Sequence, residues 1–352
     1  MRVAHGVPDD GDAKAMDVEP GPVWLPYTMR RDGNGVAALL RVNGFPQAAT
    51  REAARYVAGW GRKWSGRRAI ARARRRGVAP LLLEDAFLRS VGAGQGVAPL
   101  GLLLDPIGVH YDATAPSRLE RDIARTDRLS AAERAKAEAA LALHQRLWLS
   151  KYNPPLTPLP ERLAGQRYAI VVDQRRGDLA IAHGGVDEGT FETMLREALA
   201  SDAETIVIRT QAAGLSRPSP LARLLGRIPG HLAPWQVERM GVADRRLVFD
   251  TATHPAILVR HADRVYAATS LMGFEARLAG VPTEVFGLPF YAGWGTPGDR
   301  QSSPRRSVKR DLLEIFASAY LRVPSHRAPD GNGPADFETV ARHLAAKRDE
   351  PV

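Results

Sequence analysis

Apolar positions follow two different regimes along this chain. They meet at a proline-rich break, Asn153-Pro-Pro-Leu-Thr-Pro-Leu-Pro160, where four of eight residues are proline. Ahead of the break, residues 1–21 are polar with Gly and Pro and read as a loose tail, and Trp24-Leu-Pro-Tyr27 opens ordered structure. Arg51 to Arg76 has a helical composition and runs into Ala79-Pro-Leu-Leu-Leu83, a buried strand that stops at Glu84-Asp85. Leu100 to Tyr111 reads as two strands joined by a turn at Asp105-Pro-Ile-Gly108, with Pro at a favoured turn position. Ser130-Ala-Ala-Glu133 is a capping-box pattern, and Ala-rich helical sequence continues from it to about Trp148.

Past the break, strands alternate with helices. Strands are predicted at 168–172, 205–208, 246–249, 265–268 and 283–286, and helices at 189–200, 255–261 and 271–279. Such alternation implies a parallel sheet covered on both faces, in which ligands sit at the carboxyl ends of strands. The predicted organisation is a tail at 1–21, a first domain at 22–155, a second at 156–323, and a C-terminal tail at 324–352 able to hold a helix. With 352 residues the chain exceeds the usual size of a single hydrophobic core, which agrees with two domains.

Composition narrows the class. The chain is 44% hydrophobic and 25% charged, as ordinary globular proteins are, and has no apolar run of membrane-spanning length. The N-terminus lacks an apolar signal-peptide core, so a cytoplasmic protein is expected. With no cysteine, disulfides, thiolate metal sites and a thiol nucleophile are excluded. The net charge of +10 is concentrated in a cluster from Arg62 to Arg76, suited to an anionic membrane surface, a sugar nucleotide or nucleic acid, or simply a solvated helix face. No nucleic-acid-binding motif accompanies it, so no nucleic-acid partner is expected.

Strand ends carry the candidate chemistry. Thr269, Ser270 and the amides opening the next helix form a phosphate site, unless the hydroxyls merely cap that helix; Glu275 could accept hydrogen bonds from ribose. Glu84, Asp85 and Asp178 supply carboxylates of the kind glycosyl transfer uses in pairs. Gly287-Leu-Pro-Phe-Tyr-Ala-Gly-Trp-Gly295 packs Phe290, Tyr291 and Trp294 among three glycines. It either presents aromatic faces beside a ligand or plugs a core. No P-loop, nucleophile elbow, dinucleotide fingerprint or zinc motif is present.

Eight collinear motifs over roughly residues 55 to 323 resemble the KpsC-type capsule polysaccharide β-Kdo transferases. They are Trp60-Gly-Arg-Lys63, Leu83 to Ser90, Gly108-Val-His-Tyr-Asp112, Ser150-Lys-Tyr-Asn153, Val171 to Asp178, Thr269 to Ala276, the Pro289 to Gly295 loop and the helix Leu312 to Leu321. The family carries two such modules in tandem, and this chain resembles one, more like the first. The resemblance implies a GT-B-like α/β fold with two Rossmann-like domains facing a central cleft. It implies transfer of Kdo from CMP-Kdo to a lipid-linked oligo-Kdo acceptor with retention, without metal or cofactor. In those terms Asp178 is the nucleophile and Glu84 or Asp85 the acid/base. Thr269, Ser270, Glu275, Arg209 and Gln211 hold the donor, and Arg89 pairs with the Kdo carboxylate. The expected setting is the inner face of the cytoplasmic membrane, with other capsule assembly proteins as partners. The sequence departs from the family at Gln211, where a histidine is usual, and after Gly295, where a leucine is usual. A non-catalytic member that binds sugar nucleotide or glycolipid within the assembly machinery is the alternative.

Overall fold

The computed structural model describes residues 18–30, 35–92, 97–210 and 230–350. In the first half, strands β1 (Val23–Trp24), β2 (Tyr56–Trp60) and β3 (Ala79–Asp85) run parallel, and β4 (Gly101–Asp105) pairs antiparallel with β3. The expected helix over 51–76 is therefore split. Tyr56, Val57 and Ala58 are buried as a strand beside β3, and the helix covers only Trp64–Arg76. The expected second strand up to Tyr111 is absent as well. The Asp105 carboxylate accepts hydrogen bonds from the amides of Ile107 (2.7 Å), Gly108 (2.9 Å) and Arg118 (2.7 Å) and turns the chain out of the sheet. Val18 to Gly21, read from sequence as part of the tail, are held in place: the Tyr56 hydroxyl donates to the Glu19 carbonyl and the Gly21 amide to Gly44.

Beyond the proline-rich segment, β5 (Tyr168–Val172), β6 (Thr205–Arg209), β7 (Leu247–Asp250), β8 (Arg264–Ala267) and β9 (Thr283–Val285) form a parallel sheet in the order β7-β6-β5-β8-β9. All five lie within one residue of the strands predicted. Every residue of β5 is buried, as a central strand covered by helices on both faces requires. Strand order reverses between β5 and β8, so the connections leave the sheet on opposite sides there and open a crevice above the strand ends.

The chain then returns to the first half. Residues 324–350, expected within a C-terminal tail, are not a tail: β10 (Pro324–Arg327) pairs antiparallel with β4 and with β11 (Pro334–Ala335), and the helix Phe337–Asp349 packs on the helix Ala131–Arg146. The hydrogen bonding of β4 left an open edge, and these residues fill it. The two halves share one apolar core, in which Phe87 and Leu119 meet Phe274, Tyr291, Trp294, Phe316, Tyr320 and Val340. An ion pair crosses the same junction, with Arg305 Nε and Arg306 Nε donating to the two Glu120 oxygens at 2.6 and 2.9 Å. No helix among the described residues is long and apolar enough to cross a membrane.

Candidate active site

The crevice at the strand-order reversal opens into a cavity of about 710 Å³ between the two sheets. On the second-half side, the chain leaving β5 supplies Asp173 to Asp178 and the chain leaving β8 supplies Thr269 and Ser270. Gln174 ties these two segments together: its Nε2 donates to Thr269 Oγ1, and its Oε1 accepts from the Thr269 amide, both at 3.0 Å. The packing is close enough to exclude a side chain at Gly287, where a Cβ would lie 2.7 Å from Thr269 Cγ2 and 2.9 Å from the carbonyls of Ala268 and Gly184. Ser270 caps the helix Leu271–Leu278, its hydroxyl accepting from the Met272 amide, and Ser270 and Leu271 line the cavity at the positive end of that helix. Asp178 caps the short helix Leu179–His183, with Oδ1 accepting from the Ala180 amide at 2.9 Å, and is otherwise exposed to the cavity. Asp173 is fully engaged below the surface, accepting from Thr210 Oγ1 (2.8 Å) and from the amides of His231 (2.8 Å) and Leu232 (3.2 Å).

Across the cavity stand Glu84 and Asp85 from the end of β3, Lys63, His110 and Tyr111 from the turns after β2 and β4, and Lys151 and Tyr152. Glu84 Oε1 is buried without a hydrogen-bond partner. Burial pushes the Glu84 carboxyl up to about 7, against the opposing pull of Lys151 and Lys63 and of the Tyr111 hydroxyl. The Tyr111 hydroxyl is itself fixed by the Arg62 amide, which donates to it at 2.9 Å. This crowding depends on Gly61, at φ 32°, where a Cβ would lie 1.9 Å from Glu84 Oε1 and 2.5 Å from the Tyr111 oxygen. His110 packs edge-on to Phe87 at 5.2 Å, and burial pushes its imidazole down to about 3, so it is neutral at physiological pH. Asp85 pairs with Arg89 Nε at 2.9 Å.

Of the residues anticipated from sequence, the structure brings Glu84, Asp85, Asp178, Thr269, Ser270 and Phe290 to the cavity. The others have different surroundings. Arg89 is buried behind the wall, held by Asp85 and packed near the Tyr152 ring. Glu275 points into the junction between the halves, where Ser150 Oγ donates to its Oε1 at 2.7 Å, and burial raises its carboxyl to about 7. Arg209 is paired with Asp250. Tyr291 and Trp294 are buried: the Tyr291 hydroxyl donates to the Ser270 carbonyl (2.6 Å) and Trp294 Nε1 to the Phe290 carbonyl (2.7 Å). The aromatic-glycine loop therefore plugs a core, and of its residues only Pro289 and Phe290, the latter stacked on Phe87 at 4.6 Å, reach the cavity. Gln211 lies outside the described residues. The roles of Lys63, His110, Tyr111, Lys151 and Gln174 were not read from sequence, although each lies in a motif that carried the family resemblance.

The arrangement is a cation-lined cleft with carboxylates on facing walls and a helix N-terminus at one end. It can hold an anionic phosphate ester while acid/base and nucleophilic groups face it from both sides. Residues 55–155 and 157–327 match the family described as capsule polysaccharide biosynthesis proteins. The chain belongs to that family. Among solved structures it is similar to the β-Kdo 2,4 transferase of Thermosulfurimonas dismutans KpsC, at 33% identity and TM-score 0.77, covering 94% of this chain and 99% of that one. The β-Kdo 2,7 transferase of the same KpsC shares the fold at 23% identity and TM-score 0.62. The family member described here thus has the two-domain, GT-B-like fold of that transferase. The capsule polysaccharide modification protein LipA of Neisseria meningitidis serogroup B is 35% identical over 302 residues, 82% of this chain and 41% of LipA. The lipopolysaccharide-processing protein LpsZ of Rhizobium meliloti is 35% identical over 274 residues, 76% of this chain and 58% of LpsZ. The chain thus spans less than two thirds of the length of these curated relatives.

Proposed function

We propose that this chain is a glycosyltransferase of capsule polysaccharide biosynthesis, moving Kdo from CMP-Kdo to a lipid-linked oligo-Kdo acceptor with retention at the inner face of the cytoplasmic membrane. The observation that carries the reading is the pair of unlike carboxylates on facing cleft walls, Glu84 half-buried with its Oε1 shut away from solvent and Asp178 exposed at a helix N-terminus. The similarity to a β-Kdo 2,4 transferase along nearly the whole chain supports it.

In this mechanism Ser270, the amides behind it and Arg175 receive the donor phosphate. Asp178 attacks the anomeric carbon as the bond to CMP breaks, and a glycosyl ester forms while CMP carries away the bonding pair. The acceptor hydroxyl then attacks the same carbon and frees the Asp178 carboxylate; two inversions give net retention. Glu84 handles the proton, giving it up as CMP leaves and taking it back from the acceptor hydroxyl, a role for which a carboxyl near pH 7 is suited. Lys63 and Lys151 balance negative charge on the same wall, and neutral His110 serves as a hydrogen-bonding group without adding charge.

The test is CMP release by the purified protein, with CMP-Kdo generated in situ and a synthetic Kdo-lipid acceptor, beside Asp178→Asn. Acceptor-dependent release that disappears in the variant is expected. CMP binding without release in the native chain overturns the transferase reading for this pair and favours the binding role.

A further inference from the structure

The helix Trp64–Arg76 begins one residue after Lys63, which lines the cleft, and its two faces differ sharply. Gly66, Ala69 and Ala73 are its buried residues, and Ala69 and Ala73 pack on Val57 of β2. The opposite face carries Trp64, Arg68, Ala71 and Arg75 at helical spacing, all exposed, with Arg67 and Arg72 beside them. The helix contains no acidic residue, and among the described residues no carboxylate pairs with Arg67, Arg68, Arg72 or Arg75. The arginines crowd one another: burial, and then the neighbouring charges of Arg68, Arg51 and Arg75, hold the Arg72 guanidinium below its ordinary range. Glu52 lies near Arg76 and Arg51 at the end of the helix, and the face of Arg67, Arg68, Arg72 and Arg75 is left as a field of one sign that attracts an external anion.

Trp64 narrows the choice of anion. Trp64 is 64% exposed, with the Arg68 guanidinium over its ring at 4.3 Å. An indole beside arginines suits the headgroup level of a bilayer, where its apolar ring is covered while its N–H stays wet. A second aromatic on this helix face, as a stacking platform for nucleic acid would need, is absent.

We propose that the exposed face of helix 64–76 docks the protein on an anionic phospholipid surface, placing the Lys63 side of the cleft next to the bilayer. The purpose given to this contact, presenting a lipid-linked acceptor to the cleft, rests on the transferase reading; the contact itself does not. Docking shortens the path of a lipid-anchored acceptor to Glu84 and Asp178 and leaves the nucleotide end of the cleft free.

Flotation with vesicles of phosphatidylglycerol and phosphatidylcholine, against phosphatidylcholine alone, needs neither donor nor acceptor and so reads docking separately from catalysis. Binding is expected only to the anionic vesicles and should fall steeply with salt. Changing Arg67, Arg68, Arg72 and Arg75 together to Ser should weaken it on the order of a hundredfold or more, because each basic residue near such a surface contributes multiplicatively. The same four positions as Lys should keep most of it, and Trp64→Ala should weaken it less than the Ser set. Transfer to a short-chain, water-soluble acceptor should persist in the Ser variant while transfer to a vesicle-embedded acceptor drops. Equal flotation of the Ser variant and the native protein overturns the proposal. So does binding to a single-stranded oligonucleotide that excludes vesicles at matched salt. Flotation without any transfer leaves the docking face standing and rejects the transferase reading instead.

Discussion

Replacing Glu84 by Gln should make the protein more stable and less active, and the stability gain should depend on pH in a calculable way. In the fold this carboxyl sits at about 7, against its ordinary value of 4.5, chiefly because it is buried. A folded state that holds the proton more tightly than the unfolded chain is favoured at low pH. This contribution is therefore fully present below pH 4.5 and is lost as pH rises through 7. The difference corresponds to roughly 3 kcal/mol, most of which falls between pH 5 and pH 8. Glu275 shifts in the same direction but is present in both proteins, so it cancels in the comparison. The assay is urea unfolding of both proteins at pH 5 and pH 8. The advantage of the Gln variant over the native chain should grow by roughly 2–3 kcal/mol from the lower pH to the higher. Shape and hydrogen-bonding differences between Gln and Glu are the same at both pH values and drop out. Transfer should fall by about 10²–10⁴ in the variant, the usual contribution of a positioned acid/base. A change in advantage below about 1 kcal/mol would refute the reasoning, because Glu84 would then be ionised in the fold at neutral pH and could not donate the proton.

Asp178→Asn should abolish acceptor-dependent CMP release while leaving the melting temperature within a few degrees, since Asn also caps helices. Gly61→Ala should cut kcat by at least about tenfold, because its methyl group must displace either the Glu84 carboxylate or the Tyr111 hydroxyl; unchanged kcat would show that this corner relaxes freely. Glu120→Ala should destabilise the chain by about 3–5 kcal/mol in urea unfolding, since it leaves the buried Arg306 guanidinium without its carboxylate.

The second half of the chain was legible because its central strands are buried on both faces. Runs such as Ile170-Val-Val172 and Ile206-Val-Ile208 are short, apolar and β-branched, and the physics that buries them also marks them in sequence. In the first half that correspondence fails. Tyr56–Trp60 is hidden between Arg55 and the arginine-rich helix, so averaged composition dissolves it into a longer helical segment. Pro324–Arg327 has no strand signal at all. It is a strand because Leu103, Leu102 and Gly101 offer it an edge, information that resides more than two hundred residues earlier. Strand-end reasoning located Glu84, Asp178, Thr269 and Ser270, because topology alone brings those ends together. Glu275 and Arg209, read from strand ends, and Arg89, implied by the resemblance, are instead engaged by other side chains: Ser150, Asp250 and Asp85.

The loop from Pro289 to Gly295 shows why the most distinctive stretch of sequence need not touch a ligand. Its glycines at 293 and 295 adopt φ 83° and 84°, and its aromatics are consumed by the shared core. Arg306 donates to the Pro289 and Ala292 carbonyls (2.5 and 2.6 Å) while its Nε binds Glu120 from the other half. The loop is thus tied to the first half through Glu120 on the helix Arg118–Ile123, and Phe290, stacked on Phe87, forms the cavity boundary where the halves meet. Spreading the halves at this point would expose stacked rings and break a buried, multiply bonded guanidinium, so any opening of the cleft has to hinge here and widen at the far rim. That geometry keeps Glu84 and the Thr269–Ser270 corner at a fixed relation, as the proposed double displacement would require of groups serving both of its steps.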